Sequence, residues 1–164
     1  MGCQRTGSLP DSLPHTKRIT IREAVLSDAA DIAQLTVQLG YTASEEAVRG
    51  RLARIVGKRD QVVLVAVLER RIAGWLQACA SEVLESGFRA EIVGLIVSES
   101  SRRRGVGRGL VQRAEQWAAE IGTEAMVVRS NVKRVESHSF YPALGYCASK
   151  TQAVYRKQLK NVPK

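Results

Sequence analysis

The chain has 164 residues, of which 45% are hydrophobic and 25% charged, and its formal net charge is +9. This length suits one domain whose core needs no disulfides, and no apolar run approaches the ~20 residues that span a bilayer, which excludes an integral membrane protein. The three cysteines and two histidines lack the spacing of zinc ligands, so neither a disulfide framework nor a metal site is predicted.

The first 17 residues contain glycine, proline and several serines or threonines without a periodic apolar pattern. This composition predicts a flexible leader at 1–17 and a single folded domain at 18–160. The leader lacks the apolar centre of a secretory signal, so a cytoplasmic location is expected.

Two helices are predicted after a first strand. Polar and apolar residues alternate from residue 18, which predicts the strand, and Ser27 is predicted to cap a helix that ends at Gly40. A second helix, with acidic residues in its first turn, is predicted to begin near Ser44 and to end at Gly57.

Three strands and a third helix are predicted next. The apolar runs 62–68 and 72–80 are separated by the charged segment Glu69-Arg70-Arg71, which predicts a hairpin, and another strand is predicted at 91–97. A glycine-containing turn then leads into a helix with apolar residues at helical spacing, which ends at Gly122.

The last part of the chain predicts a strand at 125–129 and a helix at 132–144 that Pro142 breaks near its end. Short apolar runs at 146–147 and 153–159 predict a closing hairpin. The predicted order of elements is therefore β-α-α-β-β-β-α-β-α-β-β.

The turn that follows the strand at 91–97 has the features of an anion site. It contains Arg102-Arg103-Arg104-Gly105 followed by Val106-Gly107. Glycine allows close approach of backbone N–H groups to an anion, and the positive end of the next helix and the arginines attract negative charge. Neither the Gly-Lys-Ser/Thr of a Walker loop nor the Gly-x-Gly-x-x-Gly of a dinucleotide fingerprint is present.

The spacing Arg102-x-x-Gly105-x-Gly107 behind an apolar strand resembles the acyl-CoA binding motif of the GNAT superfamily of N-acetyltransferases, and the element order over 18–159 is the order of that superfamily. The resemblance implies an α/β fold, with a mixed central sheet splayed between strands 4 and 5 and helices on both faces. It also implies acetyl-CoA as co-substrate, without a metal. The implied binding residues are Leu95, Ile96, Val97, Arg102, Arg103, Arg104, Gly105, Val106, Gly107, Arg108, Asn131 and Tyr141.

A second match lies at 137–146, where Phe140-Tyr141 is followed by Leu-Gly-aromatic. The resemblance implies that Tyr141 lies near the thioester sulfur and protonates the departing thiolate. An unperturbed phenol has a pKa of about 10, so it is protonated at neutral pH and can donate. The alternative is an amphipathic core aromatic with a satisfied hydroxyl.

Two further positions are proposed for the site. Glu91, eleven residues before Arg102, matches the general-base glutamate of the superfamily's histone acetyltransferase branch, although a surface carboxylate at a strand end is the alternative. Asn131 matches an asparagine that contacts the pantetheine in relatives, or it caps the helix that follows. Backbone N–H groups at 95–97 are candidates to polarise the acetyl carbonyl.

The sequence offers fewer candidate residues for binding the acceptor amine. Tyr41, Trp75 and the loop at 82–88, with Glu82 and Glu85, are predicted to wall the acceptor pocket. Cys79 lies in an apolar strand and is predicted to pack in the core rather than to act covalently.

The predicted function is acetyl transfer from acetyl-CoA to a primary amine by direct attack, with a small amine as the preferred acceptor. An aminoglycoside 6′-type acetyltransferase and a non-catalytic acyl-CoA-binding regulator are the alternatives. Aromatic residues are not interleaved with the basic ones, so no nucleic-acid partner is predicted. A homodimer is a further expectation, because relatives commonly dimerise.

Overall fold

The structure, a computed structural model, describes residues 18–38, 40 and 42–159. It forms two compact units, of which one ends at Arg129 and the other begins at Ser130. The elements of the first unit are β1 (Thr20–Glu23), α1 (Ala29–Val37), α2 (Glu45–Ile55), β2 (Gln61–Leu68), β3 (Arg71–Val83), β4 (Gly87–Val97), α3 (Val106–Glu120) and β5 (Ala125–Val128). The second unit contains α4 (Val135–Phe140) and a 3-10 turn at Pro142–Leu144. A single domain at 18–160 stays a prediction.

The strands form one sheet in the order β1-β2-β3-β4-β5. Neighbours are antiparallel except for β4 and β5, which are parallel, so the prediction of a mixed sheet is confirmed. The turn between β2 and β3 is tight, with Glu69 and Arg70 at φ values of 51° and 65°. The predicted hairpin is therefore present, and Arg71 is already the first residue of β3.

Helices cover both faces of this sheet. On one face, Val63 and Val65 of β2 pack in a buried cluster with Ile32 of α1 and with Val48 and Leu52 of α2. The side chains that alternate with them point to the opposite face, which α3 covers with its buried apolar stripe. No helix among the described residues is long and apolar enough to cross a membrane.

The start of α1 differs from the prediction that Ser27 caps it. A 3-10 turn at Leu26–Asp28 precedes α1, and Asp28 accepts a hydrogen bond from the N–H of Val25 at 2.8 Å. The Asp28 carboxylate also pairs with both terminal nitrogens of Arg22, at 2.7 and 2.8 Å. The Asp28 carboxylate thus caps the 3-10 turn and makes no capping hydrogen bond to α1 itself, and it satisfies a backbone donor and a guanidinium together.

Other helix boundaries agree with the sequence. α2 begins next to Ser44, as predicted, and Ser44 caps it by accepting a hydrogen bond from the N–H of Ala47 at 3.2 Å. The helix ends before Gly57, and α3 ends before Gly122; both glycines have positive φ.

Two predictions for the second unit are wrong. The helix begins at Val135, three residues later than predicted, because Asn131 Oδ1 accepts a hydrogen bond from the N–H of Lys133 and holds the segment before it in a turn. The closing hairpin is absent from residues 147–159 as described: they contain no strand and every one of them is exposed. Charged and polar residues outnumber apolar ones there, so a strand would have little apolar surface to bury.

Candidate active site

The central feature of the first unit is a fork between β4 and β5. These strands pair from Arg89 opposite Ala125 to Ile92 opposite Val128, and there the pairing stops. β4 continues for five more residues, to Val97, without a β5 partner in the described register. The splay expected between strands 4 and 5 is thus present, and it leaves the main chain of residues 93–97 along one side of the fork.

A β-bulge coincides with the fork. In the pairing of β3 with β4, Gln77 lies opposite Gly94 while Ala78 lies opposite Ile92, so Val93 has no partner on β3. Bulges bend a strand and redirect its backbone groups, and they are frequent beside active sites. The sequence contained no signal for this bulge, because its position depends on the partner strand.

Trp75 packs directly against β4 beside the bulge. A Cβ on Gly94 would lie 2.8 and 2.9 Å from the Cζ3 and Cη2 atoms of the Trp75 ring. The half-buried ring also packs on the apolar cluster between the sheet and the helices α1 and α2. Trp75 therefore joins that core to the region of the fork, which is compatible with a role in the acceptor wall.

The predicted anion loop follows the end of β4. Arg103 and Gly105 are both left-handed, with φ values of 58° and 83°, and α3 begins immediately after Gly105. Gly105 has no side chain to cap the helix, and the first turn contains no acidic residue. The early N–H groups of an α-helix have no intrahelical acceptor, so the positive end of α3 is available to an anion.

The arginines of the loop are not equivalent. Arg104 forms an ion pair with Glu69 in the β2–β3 turn at 3.3 Å. Arg102 lies 3.9 Å from Glu99, a distance at the limit of an ion pair. Arg103 is exposed, and the structure gives it no acidic partner among the residues that are described. Arg103 is therefore the arginine of the three that is most available to an added anion.

A polar groove of about 760 Å³ adjoins the loop on the side of the β2–β3 turn. Asp31 and Gln34 of α1 line it together with Arg70, Ser98 and Arg104. The groove contains neither Glu91 nor the fork residues 93–97, so it is a neighbour of the predicted site and not the site itself. At the fork, by contrast, the main chain of residues 93–97 has no partner on the β5 side.

Glu91 lies on β4 just before the fork. Its Oε1 forms an ion pair with Nη1 of Arg129 at 2.9 Å, and its side chain is only 18% exposed. Cys79 lies opposite Glu91 on β3. Burial raises the pKa of the Cys79 thiol, and the nearby charges of Glu91 and Asp60 raise it further. The thiol is thus held in its protonated form, which argues against a nucleophilic Cys79.

Tyr141 is described within the second unit by itself. It lies at the end of α4 in an aromatic cluster, with ring centroids 5.0 Å from Phe140 and 5.6 Å from Tyr146, both edge to face. Burial raises the pKa of the Tyr141 hydroxyl, and Arg134 lowers it by a smaller amount. The hydroxyl is therefore protonated at neutral pH, as a proton donor must be, while its burial also makes it a weaker acid than an exposed tyrosine.

Four other residues are predicted to belong to the site: Asn131, Glu82, Glu85 and Tyr41. Asn131 does not cap α4, whose capping residue is Arg134, so that alternative is wrong and the contact to pantetheine stays a prediction. Glu82 and Glu85 are exposed on the hairpin between β3 and β4. Tyr41 lies outside the described residues.

The comparisons with known proteins agree with this architecture. The sequence pattern of the Acetyltransferase (GNAT) family matches residues 29–146. The acetyl transferase GW6a of Oryza sativa subsp. japonica is 35% identical over 85 residues, which cover 44% of this chain and 20% of that protein. The aminoglycoside N(6′)-acetyltransferase type 1 of Serratia marcescens is 27% identical over 75 residues, which cover 46% of this chain and 51% of that protein. The matches thus span a fifth and about half of the lengths of these curated relatives.

A solved structure supports the fold. The aminoglycoside N-acetyltransferase AAC(6′)-Iy, determined in complex with CoA, has a TM-score of 0.81 and is 20% identical, covering 90% of this chain and 100% of that one. An identity this low shows the fold alone. The family pattern, however, covers well over half of the chain, including the fork, the anion loop and Tyr141. This chain therefore belongs to the GNAT family of acetyltransferases.

Proposed function

We propose that this protein transfers an acetyl group from acetyl-CoA to a primary amine by direct attack, with a small amine as the acceptor. The observation that carries the proposal is the fork: a stretch of β4 that pairs with β3 but not with β5 is followed by a loop that presents the uncapped, positive end of α3. A strand edge and a helix N-terminus, one after the other, suit a ligand that contains amide groups at one end and phosphates at the other.

The residues fit coenzyme A in this way. The pantetheine arm contains amides that can pair with main-chain groups at 95–97, as an added strand does. The oxygens of the pyrophosphate accept hydrogen bonds from the N–H groups at the start of α3, with Arg103 providing charge beside them. Arg102, Arg104 and Arg108 contribute to the positive field of this surface, whereas Asn131 is proposed to contact the pantetheine.

The chemistry needs an acceptor for one proton and a donor for another. Acetyl-CoA supplies an acetyl group activated as a thioester. Glu91 takes the proton that the amine nitrogen loses when it bonds to the acetyl carbon. Tyr141, whose raised pKa keeps it protonated, gives its proton to the sulfur whose bond to that carbon breaks. Backbone N–H groups near the bulge polarise the acetyl carbonyl.

Calorimetric titration with acetyl-CoA tests the binding half of this proposal. Gly107→Asp puts a carboxylate where the phosphates are accepted, and the position lies within α3, where a side chain is allowed. We expect acetyl-CoA affinity to fall by about 100-fold or more, because like charges at close range cost several kcal/mol in a partly dry site. Gln112→Glu adds the same charge to an exposed position of the same helix and should change the affinity by less than about two-fold. Equal affinity in wild type and Gly107→Asp would contradict the placement.

Turnover is tested separately, by thiol release with sisomicin, phenethylamine and a lysine-containing peptide as acceptors. The aminoglycoside is included because one relative is an aminoglycoside N(6′)-acetyltransferase. Tyr141→Phe should lower kcat by about 100-fold while the affinity for acetyl-CoA changes little, since the variant loses a proton donor and keeps the ring. Binding without turnover on any amine would favour a non-catalytic acyl-CoA-binding regulator.

A further inference from the structure

An ion pair spans the fork at the point where the two strands separate. Ile92 and Val128 are the last paired residues of β4 and β5. Glu91 comes one residue before this pair on β4, and Arg129 is the residue that directly follows the end of β5. Side chains alternate along a strand, so Glu91, Val127 and Arg129 share one face of the sheet. The 2.9 Å contact between Glu91 and Arg129 thus ties β4 to β5 at the apex of the fork.

The two ends of the pair have different surroundings. Arg129 is 57% exposed, whereas Glu91 is 18% exposed, so the carboxylate is the member that is held within the protein. Cys79 lies opposite Glu91 on β3, and the charges of Glu91 and Asp60 both raise the pKa of its thiol. The positive charge of Arg129 offsets the negative charge of the one carboxylate that it contacts, Glu91.

The ion pair between Arg129 and Glu91 involves one oxygen of the Glu91 carboxylate. Arg129 occupies Oε1 of Glu91, and Oε2 has no hydrogen-bond partner among the residues that the structure describes. A carboxylate held by one oxygen can rotate less than a free one, so its second oxygen keeps a defined orientation. A general base needs such an orientation, because a displacement of about 1 Å can cost on the order of 100-fold in rate.

We infer that Arg129 is a positioning residue for acetyl transfer: it holds Oε1 of Glu91 at the apex of the fork, so that Oε2 accepts the proton of the acceptor amine. The inference rests on the proposed function and goes beyond it, since Arg129 belongs to no motif in the sequence. The proton moves from the amine nitrogen to Oε2, and Arg129 itself exchanges no proton.

The test is a double-mutant cycle with Arg129→Gln, Glu91→Gln and the double variant. Each variant is assayed by thiol release from acetyl-CoA. The acceptor is the amine that the wild type acetylates, chosen from sisomicin, phenethylamine and the lysine peptide. Arg129→Gln should lower kcat about 10-fold, with the KM for acetyl-CoA changed by less than about two-fold. Arg129→Lys keeps the charge and should restore most of the rate. In the Glu91→Gln background, Arg129→Gln should cause no further loss, because the residue acts through Glu91.

Arg113→Gln is the matched control, since it removes an Arg–Glu pair within α3, away from the fork. It should leave kcat unchanged. Circular dichroism and calorimetric titration with CoA establish that each variant is folded. If Arg129→Gln alone does not fold, the double variant, which removes both charges of the pair, is compared with Glu91→Gln, and equal rates support the inference.

The possible results distinguish a failure of the proposed function from a failure of the role inferred for Arg129. A wild type that releases no thiol with any of the three amines overturns the proposed function, and this inference with it. An active wild type with an equally active Arg129→Gln variant overturns the inference alone. The same is true if Arg129→Gln lowers the rate as much in the Glu91→Gln background as in the wild type, since Arg129 would then act independently of Glu91.

Discussion

Asp28 shows how much of the fold can depend on one side chain. It is buried, accepts a hydrogen bond from the N–H of Val25 and pairs with Arg22 through both oxygens. One carboxylate thus holds the end of β1, the 3-10 turn and the start of α1 together. The hydrogen bonds from Arg22 lower the pKa of Asp28 more than burial raises it.

Replacing this carboxylate should weaken the protein in a pH-dependent way. The pKa of Asp28 is lower in the folded state than the value of about 3.9 of the unfolded chain, so its contribution is complete above that value and is lost as pH falls through the folded pKa. At pH 7, Asp28→Asn should lower the free energy of unfolding by about 2 kcal/mol. Urea unfolding at pH 7 and below pH 4 measures this, and a wild-type advantage that grows on acidification would contradict it.

At the scale of elements, the two halves of β4 differ in how they pair with neighbouring strands. Its first half pairs with strands on both sides, and its second half pairs with β3 alone. The bulge at Val93 lies at the change, and Trp75 packs against Gly94 just beyond it. A glycine is needed at this position because the indole ring occupies the space of a Cβ.

Two glycine-to-alanine substitutions test whether the Trp75 ring requires a glycine at position 94. Gly94→Ala places a methyl group within 2.9 Å of the Trp75 ring and should lower the free energy of unfolding by about 1–3 kcal/mol. Gly50→Ala, in the interior of α2 with only the end of Arg54 nearby, should instead raise it by about 1 kcal/mol. Urea titrations of both variants measure the difference. Unchanged stability in Gly94→Ala would show that the ring moves freely.

At the scale of the whole molecule, the apolar core and the catalytic candidates are distributed unequally. All of the buried apolar residues in the described part of the chain lie between Ala24 and Ala118, within the first unit. The first unit also contains the fork, the anion loop and Glu91, whereas Tyr141 belongs to the second. Stability and coenzyme binding are therefore expected to depend mainly on the first unit.

A chain that ends at Arg129 should consequently fold without the second unit. We expect a cooperative urea transition and a circular dichroism spectrum with both helix and sheet, since the core residues are retained. It should bind CoA in calorimetry but release thiol at least about 100-fold more slowly than the full chain, because the proton donor is missing. A truncated chain that lacks a cooperative transition would show that the core of the first unit is insufficient.

The sequence by itself determined the order of the elements up to α3 and β5, the bounds of α2 near Ser44 and Gly57, and the glycine turn before α3, because these depend on local spacing: apolar periodicity, Ser44, and glycines at turns. Its prediction of the GNAT family and of the splayed sheet is confirmed. The predictions for the site residues Glu91, Tyr141 and Asn131 are still to be tested.

Only the tertiary structure decided which residues meet across strands. The ion pairs of Glu91 with Arg129 and of Glu69 with Arg104 join residues 38 and 35 positions apart, and the bulge at Val93 exists only relative to β3. The predicted closing hairpin is absent because a strand needs a partner as well as an apolar face: the segment has little apolar surface, and the partner is not a property of its own residues.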